Sequence, residues 1–164
     1  MNEVIDLVQR KRALDPAESF IVQAPAGSGK TELLIQRYLR VLSMVDEPEE
    51  VIAITFTRKA AAEMRGRILS ALDHVVSSDM IDDAAAGITH GLAAKVIGQD
   101  KKRVWQLSEN PGRLRIQTID SLTASLTRQM PILSKFGAQP ETLENASELY
   151  HLAAANALAE LESN

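Results

Sequence analysis

A run of small residues, Ala24-Pro25-Ala26-Gly27-Ser28-Gly29, leads into Lys30-Thr31. This is the order of a phosphate-binding loop, G-x-x-x-x-G-K-[ST], with Ala24 where the first glycine is usual. A triphosphate must be wrapped by backbone N–H groups, and only a turn of small residues brings them close enough; Gly27 and Gly29 permit that approach. Lys30 falls in the first turn of the helix that follows. There it can reach the β- and γ-phosphate oxygens, while the helix start adds unpaired N–H donors and a positive dipole end. Thr31 is left to coordinate Mg²⁺. These residues therefore predict ATP with Mg²⁺, bound by Ala24 to Thr31, with Lys30 and Thr31 closest to the chemistry.

A second constellation is Thr55-Phe56-Thr57-Arg58-Lys59. An aromatic ring at the end of a strand, followed by two cations at a helix start, combines a stacking platform, positive charge and free N–H donors, which suits single-stranded nucleic acid. From these residues alone a plainer reading also stands: Phe56 as a core residue, with Arg58, Lys59, Arg65 and Arg67 as a solvated face. Lys101, Lys102, Arg103, Arg113 and Arg115 either widen the basic track or form ordinary surface. Phosphoryl transfer also needs an acidic pair at a strand end, one carboxylate for the Mg²⁺ shell and one to orient water. Asp46-Glu47 has the right texture, but about 15 helical residues at 1.5 Å each put Asp46 on the order of 20 Å from the phosphates. Asp120 is the other candidate, although Arg115 and Gln117 interrupt the apolar run before it.

Around these residues the sequence alternates strands and helices. A short amphipathic helix over Val4 to Leu14 carries Gln9 and ends at Asp15-Pro16. Strands are predicted at Ser19 to Ala24, Val51 to Phe56 and Arg113 to Thr118, the first two apolar enough for central strands covered on both faces. Helices are predicted from Lys30 to about Val45, with Leu33, Leu34, Tyr38, Val41 and Leu42 as a buried stripe. Others run from Lys59 to Val76 around Ala60, Met64, Ile68, Ala71, Leu72 and Val75, and from Asp82 to Ile97, closed by Gly98-Gln99-Asp100. The last two run from Ile119 to Met130, stopped at Pro131, and from Asn145 to Leu161 beyond a polar loop at Gly137 to Pro140. This is the rhythm of a parallel α/β sheet.

With 164 residues the chain can bury a core of one domain, and its net charge of −4 means that any nucleic-acid contact must come from a local basic strip. The absence of cysteine fits a reducing cytosol and excludes thiolate metal sites. His74, His90 and His151 are too scattered for a ligand cluster. No apolar run reaches the roughly 18 residues of a membrane span, so a cytoplasmic location is expected.

Three segments together resemble one family. Ala24 to Thr31, Ala53-Ile54-Thr55-Phe56-Thr57-Arg58-Lys59-Ala60-Ala61-Ala62-Glu63-Met64 and Ile116-Gln117-Thr118-Ile119-Asp120-Ser121-Leu122 are similar to the opening motifs of the UvrD/Rep-like superfamily 1 DNA helicases, on the AddA/RecB-like side. The resemblance implies a RecA-like P-loop NTPase sheet flanked by helices and the start of an inserted helical domain. It implies single-stranded DNA at Thr55, Phe56, Thr57, Arg58 and Lys59 and at Thr118, Asp120 and Ser121, with Asp120 where relatives often carry histidine. It also implies an adenine-reading glutamine at Gln9. Residues 1–130 then form the opening of the first ATP-binding domain, with 77–112 a possible helical insertion, and 131–164 begin the inserted domain.

The acidic pair, the transition-state arginines and the second motor domain of such enzymes are expected beyond Asn164. The function implied is an ATP-dependent DNA helicase or translocase in repair or recombination, processing double-strand breaks, with a possible nuclease or partner subunit. This piece alone would hydrolyse ATP poorly. Two alternatives stay open: a self-contained P-loop NTPase or kinase using Asp120 at the metal, and a non-catalytic nucleotide-binding module. Unpaired strand edges and the Leu149, Leu152, Leu158 and Leu161 face predict self-association of the isolated chain, or a last helix folded over the exposed strand.

Overall fold

The computed structural model describes residues 7–77, 84–130 and 145–162. The predicted helix start at Val4, the stop at Pro131 and the loop from Gly137 to Pro140 lie outside these residues. The chain divides into two compact units, Met1–Leu122 and Thr123–Asn164. The first holds α1 (Leu7–Ala13), α2 (Lys30–Leu42), β1 (Ile52–Thr55), α3 (Arg58–Ser77), α4 (Ala84–Arg103), β2 (Arg115–Thr118) and the start of α5 (Ile119–Gln129). The second holds the remainder of α5 and α6 (Ser147–Glu162), whose Leu149, Leu152 and Leu158 are exposed.

Among the described residues the sheet consists of β1 and β2, paired in parallel with Ala53 opposite Ile116 and Thr55 opposite Thr118. Successive side chains on a strand alternate between faces. Ile116 and Thr118 accordingly sit buried under α3, while Ile52 and Ile54 point the other way and are exposed. The expectation of a strand covered on both faces is thus corrected: one face of β1 is covered. The fork of Arg65 fastens α3 to the sheet, with Nη2 donating to the Ile116 carbonyl at 2.7 Å.

The predicted strand at Ser19 to Ala24 does not form. This stretch is irregular, Ile21 is 98 % exposed, and no ladder partner lies beside it among the described residues. A strand without ladder bonds has little to hold it extended in a sheet, however apolar its sequence. The chain is positioned here by Arg37 of α2. Its guanidinium donates to the carbonyls of Ala13 (2.6 Å), Asp15 (3.0 Å) and Glu18 (2.7 Å) and lies 5.2 Å from the Phe20 ring centroid.

α2 buries Leu33, Tyr38 and Leu42 of the expected stripe, keeps Val41 half-buried against the core, and adds Ile35 and Leu39, whereas Leu34 is half exposed. Ile35, Leu39 and Leu42 follow the i, i+4, i+7 row that meets α4 and α3. Burial pushes the Tyr38 phenol up to about 12. α3 keeps its expected stripe, with Ile68 and Leu72 buried and Met64, Ala71 and Val75 packed beside them, except that Ala61 and not Ala60 turns inward.

Residues 84–114, which carry no recognisable motif, supply much of the core. α4 continues through Gly98 to Arg103, burying Leu92, Ala93, Val96 and Ile97. Val104 and Gln106, at φ 57° and 58°, then turn the chain sharply, and Trp105 enters the core at 1 % exposure with its indole N–H on the Asp46 carbonyl at 3.0 Å.

Two of the cations left open between a basic track and ordinary surface belong to the scaffold. Arg103 pairs with Asp46. Arg113 donates to Glu49 at 2.6 Å and 3.0 Å and to Glu47 at 2.8 Å, joining the turn before β1 to the turn before β2. The Arg113 hydrogen bonds hold the Glu49 carboxyl below its ordinary 4.5. A carboxylate with a depressed folded-state pKa contributes stability that is whole above the unfolded value and lost as pH falls through the folded one. Glu49→Gln should therefore flatten the loss of stability below about pH 4.5. Urea midpoints of both proteins across pH 7 to 3 test this, and parallel curves would contradict it.

Candidate functional site

The Ala24 to Thr31 loop ends in the turn its sequence requires. Gly27 and Gly29 have φ of 76° and 77°, in the left-handed region that glycine enters without strain. Gly29 is the residue that precedes α2, so the unpaired N–H groups of the first helical turn open beside it. The Lys30 amine donates to the carbonyls of Ala24, at 2.6 Å, and Pro25. The amine is thereby held at the rim of the loop by weak neutral acceptors, from which a charged oxygen could draw it. Thr31, one residue on, is exposed. A hydroxyl at that place, beside a lysine and a helix start, fits the donor chemistry of a hard divalent cation that keeps much of its own water.

α1 stands over this loop. Arg10 Nη2 donates to the Ser28 carbonyl at 2.6 Å, and the same guanidinium lies above Gly29, where an added Cβ would come within 3.4 Å of Nη1. Gln9, Arg10, Phe20, Ala24, Ser28 and Lys30 border one groove of about 590 Å³. The structure therefore brings Gln9 to the same cleft as the lysine, even though the segment between them is not a strand. Arg10 was not singled out from the sequence. Its position next to Gln9, one helical residue away, was the available signal.

The second and third segments meet at the sheet. Because Thr55 and Thr118 share a rung, Phe56-Thr57-Arg58-Lys59 and Ile119-Asp120-Ser121 leave adjacent strand ends side by side. Both helix starts are capped by threonine. Thr57 Oγ1 accepts from the Ala60 N–H at 3.1 Å and Thr118 Oγ1 accepts from the Ser121 N–H at 3.2 Å. Ser121 Oγ lies 2.9 Å from Thr118 Oγ1, and Thr55 Oγ1 donates to the Thr57 carbonyl at 2.9 Å. Phe56 is 91 % exposed, which overturns the core reading of this ring. Arg58, Lys59 and Asp120 are exposed beside it, whereas Arg65 and Arg67 are engaged with Ile116 and Glu63. Asp46 is held by Arg103 beyond the far end of α2.

A glycine turn opening a helix, together with two capped strand ends on one rung of a parallel pair, defines an α/β protein whose exposed groups gather in a helix-start groove and at the carboxyl ends of its strands. The chain belongs to the UvrD/REP helicase N-terminal domain family, whose model matches residues 6–162. It is 44 % identical over 70 residues to an ATP-dependent helicase/nuclease subunit of Desulfitobacterium hafniense, covering 41 % of this chain and 5 % of that protein. It is 48 % identical over 61 residues to DNA helicase II of Salmonella typhimurium, covering 37 % and 8 %. To the ATP-dependent DNA helicase PcrA of Leuconostoc citreum it is 36 % identical over 85 residues, covering 51 % and 11 %. The matches thus span between 5 % and 11 % of the length of these relatives. No solved structure matches the chain. Among the described residues no helix is long and apolar enough to cross a membrane.

Proposed function

We propose that this chain is the opening part of the first RecA-like motor domain of an ATP-dependent DNA translocase that acts in repair or recombination. In this reading the loop from Ala24 to Thr31 takes ATP, Lys30 meets the β- and γ-phosphates, Thr31 holds Mg²⁺ and Gln9 reads adenine. Mg²⁺ would supply charge neutralisation on the phosphate oxygens. The loop residues wrap the triphosphate and exclude water from its inner face. Thr55 to Lys59, with Thr118, Asp120 and Ser121, take single-stranded DNA. Hydrolysis by this piece alone is slow, since the described residues bring no acidic pair to the loop. Residues 1–130 and 131–164 correspond to the motor domain and the start of an inserted helical domain, in a cytoplasmic enzyme that works with a nuclease or partner subunit.

The observation that carries this reading is the shared rung of Thr55 and Thr118, which puts an exposed aromatic ring, two cations and two capped helix starts at one sheet edge. A ring 91 % exposed is a poor core residue and a good platform for a base. Phe56→Ala should weaken single-strand binding by about 1–3 kcal/mol for the base it stacks, with little change in fold. Lys59→Ala should instead reduce the salt dependence of binding. Fluorescence anisotropy with a labelled oligonucleotide at low salt tests both. Duplex bound as tightly as single strand, or a Phe56→Ala protein equal to the parent, would defeat the assignment.

A further inference from the structure

We infer that Arg37 of α2 is a positioning residue for the base end of the nucleotide groove, fixing α1, and with it Gln9, at a set place relative to Lys30; this rests on the nucleotide reading above. Apart from the contact of Arg10 with Ser28, α1 has little to hold it. It is seven residues long, too short to stand as a helix alone, and Ala13 is its one buried residue. Arg37 meets this segment at three carbonyls at once: Nη1 donates to Ala13 at 2.6 Å and to Asp15 at 3.0 Å, and Nη2 donates to Glu18 at 2.7 Å. Ala13 ends α1, so the cation also faces the negative end of that helix. The same guanidinium lies 5.2 Å from the Phe20 ring centroid, and Arg12 of α1 lies 6.0 Å from it, so the two helices share one ring.

Lys30 and Arg37 are seven residues apart on α2, which is two turns, so they share a face at a separation of about 10 Å. One rigid element thereby carries both the phosphate-end cation and the clamp on the helix that bears Gln9. Phe20, Gln9 and Lys30 border the groove, whereas Arg37 does not and acts through α1. The clamp needs an arginine, because a planar fork addresses several acceptors in fixed directions and lysine is a point charge on a flexible stem. What Arg37 governs is therefore the preference for a nucleotide over a bare polyphosphate.

The test is calorimetric titration of the whole chain with ATP·Mg²⁺ and with inorganic tripolyphosphate, which carries the charge but no base. The proteins are the parent, Lys30→Ala, Gln9→Ala, Arg37→Met, Arg37→Lys and the double variant of Gln9→Ala with Arg37→Met. Arg37→Met should lose about fivefold in affinity for ATP, the scale of one hydrogen bond, and stay within about twofold of the parent for tripolyphosphate. Arg37→Lys should show the same split at smaller size, and it carries the test if circular dichroism shows Arg37→Met unfolded. The double variant should lose no more than Gln9→Ala alone, because both act through one contact. If Lys30→Ala binds both ligands as the parent does, the nucleotide reading itself fails. If Lys30→Ala loses binding while Gln9→Ala keeps the parent's affinity for ATP, the loop stands and the role of Arg37 falls with the base contact. Equal losses on both ligands in the Arg37 variants, or additive losses in the double variant, would make Arg37 a general support of the fold and overturn the inference. An Arg37→Lys protein equal to the parent on both ligands overturns it as well.

Discussion

Lys30→Ala is expected to lower ATP·Mg²⁺ affinity by roughly a hundredfold while leaving the fold in place. On the proposed reading that loss is the removal of a charged donor to two phosphate oxygens, at about 1.5–3 kcal/mol for each such hydrogen bond and less than additive for two. The fold is spared because the amine donates only to the carbonyls of Ala24 and Pro25 at the loop rim, which water can serve in its place. The α2 core is made by Leu33, Ile35, Leu39 and Leu42 and does not involve Lys30. Calorimetry on both proteins decides the matter, with circular dichroism as the check on folding. Equal affinities would remove the loop from the nucleotide site.

The largest effect on stability is expected at a residue that touches neither candidate site. Trp105→Ala should cost about 3–5 kcal/mol, the range for deleting a buried large aromatic side chain. The ring is 1 % exposed, it packs in the core with Leu107 and Leu114, and its N–H satisfies the Asp46 carbonyl. Truncation would leave a cavity and an unpaired acceptor together. For a domain whose whole stability is about 5–15 kcal/mol, that is a large share. Denaturant midpoints for Trp105→Ala and Trp105→Phe separate the two contributions, since phenylalanine fills much of the space but has no N–H. A midpoint unchanged in Trp105→Ala would show that the core closes without this side chain.

The parts of the molecule that could be read from the sequence are those where local chemistry dictates local shape. Gly27 and Gly29 announce left-handed turns, and both adopt them. Lys30 was expected in the first turn of a helix, and α2 begins at it. The alternation of strands and helices was enough to place β1 and β2 in parallel.

What stayed hidden depends on partners distant in the chain. Ile21 and Val22 carry the composition of a central strand, but ladder bonds make a strand, and no partner stands beside them among the described residues. Phe56 allowed both a core and a platform reading from its sequence, and it follows the last residue of β1 at 91 % exposure. Arg113 looks like part of a basic strip until the fold sets it against Glu47 and Glu49. The turn that buries Trp105 uses Val104 and Gln106 at positive φ, where no glycine or asparagine gives it away.

The shared rung of Thr55 and Thr118 also constrains the order in which the molecule can assemble. About sixty residues separate the two strands, so their pairing closes a long loop whose entropy must be offset before any ladder bond forms. α3 and α4 occupy that interval and pack on each other and on α2. During synthesis β1 emerges from the ribosome well before β2, its one ladder partner among the described residues. The two strand ends, with Phe56 to Lys59 and Ile119 to Ser121 beyond them, therefore take up their places side by side only when β1 and β2 pair. Substitutions that loosen the packing of the motif-free interval should therefore disturb the strand ends without altering any residue at them.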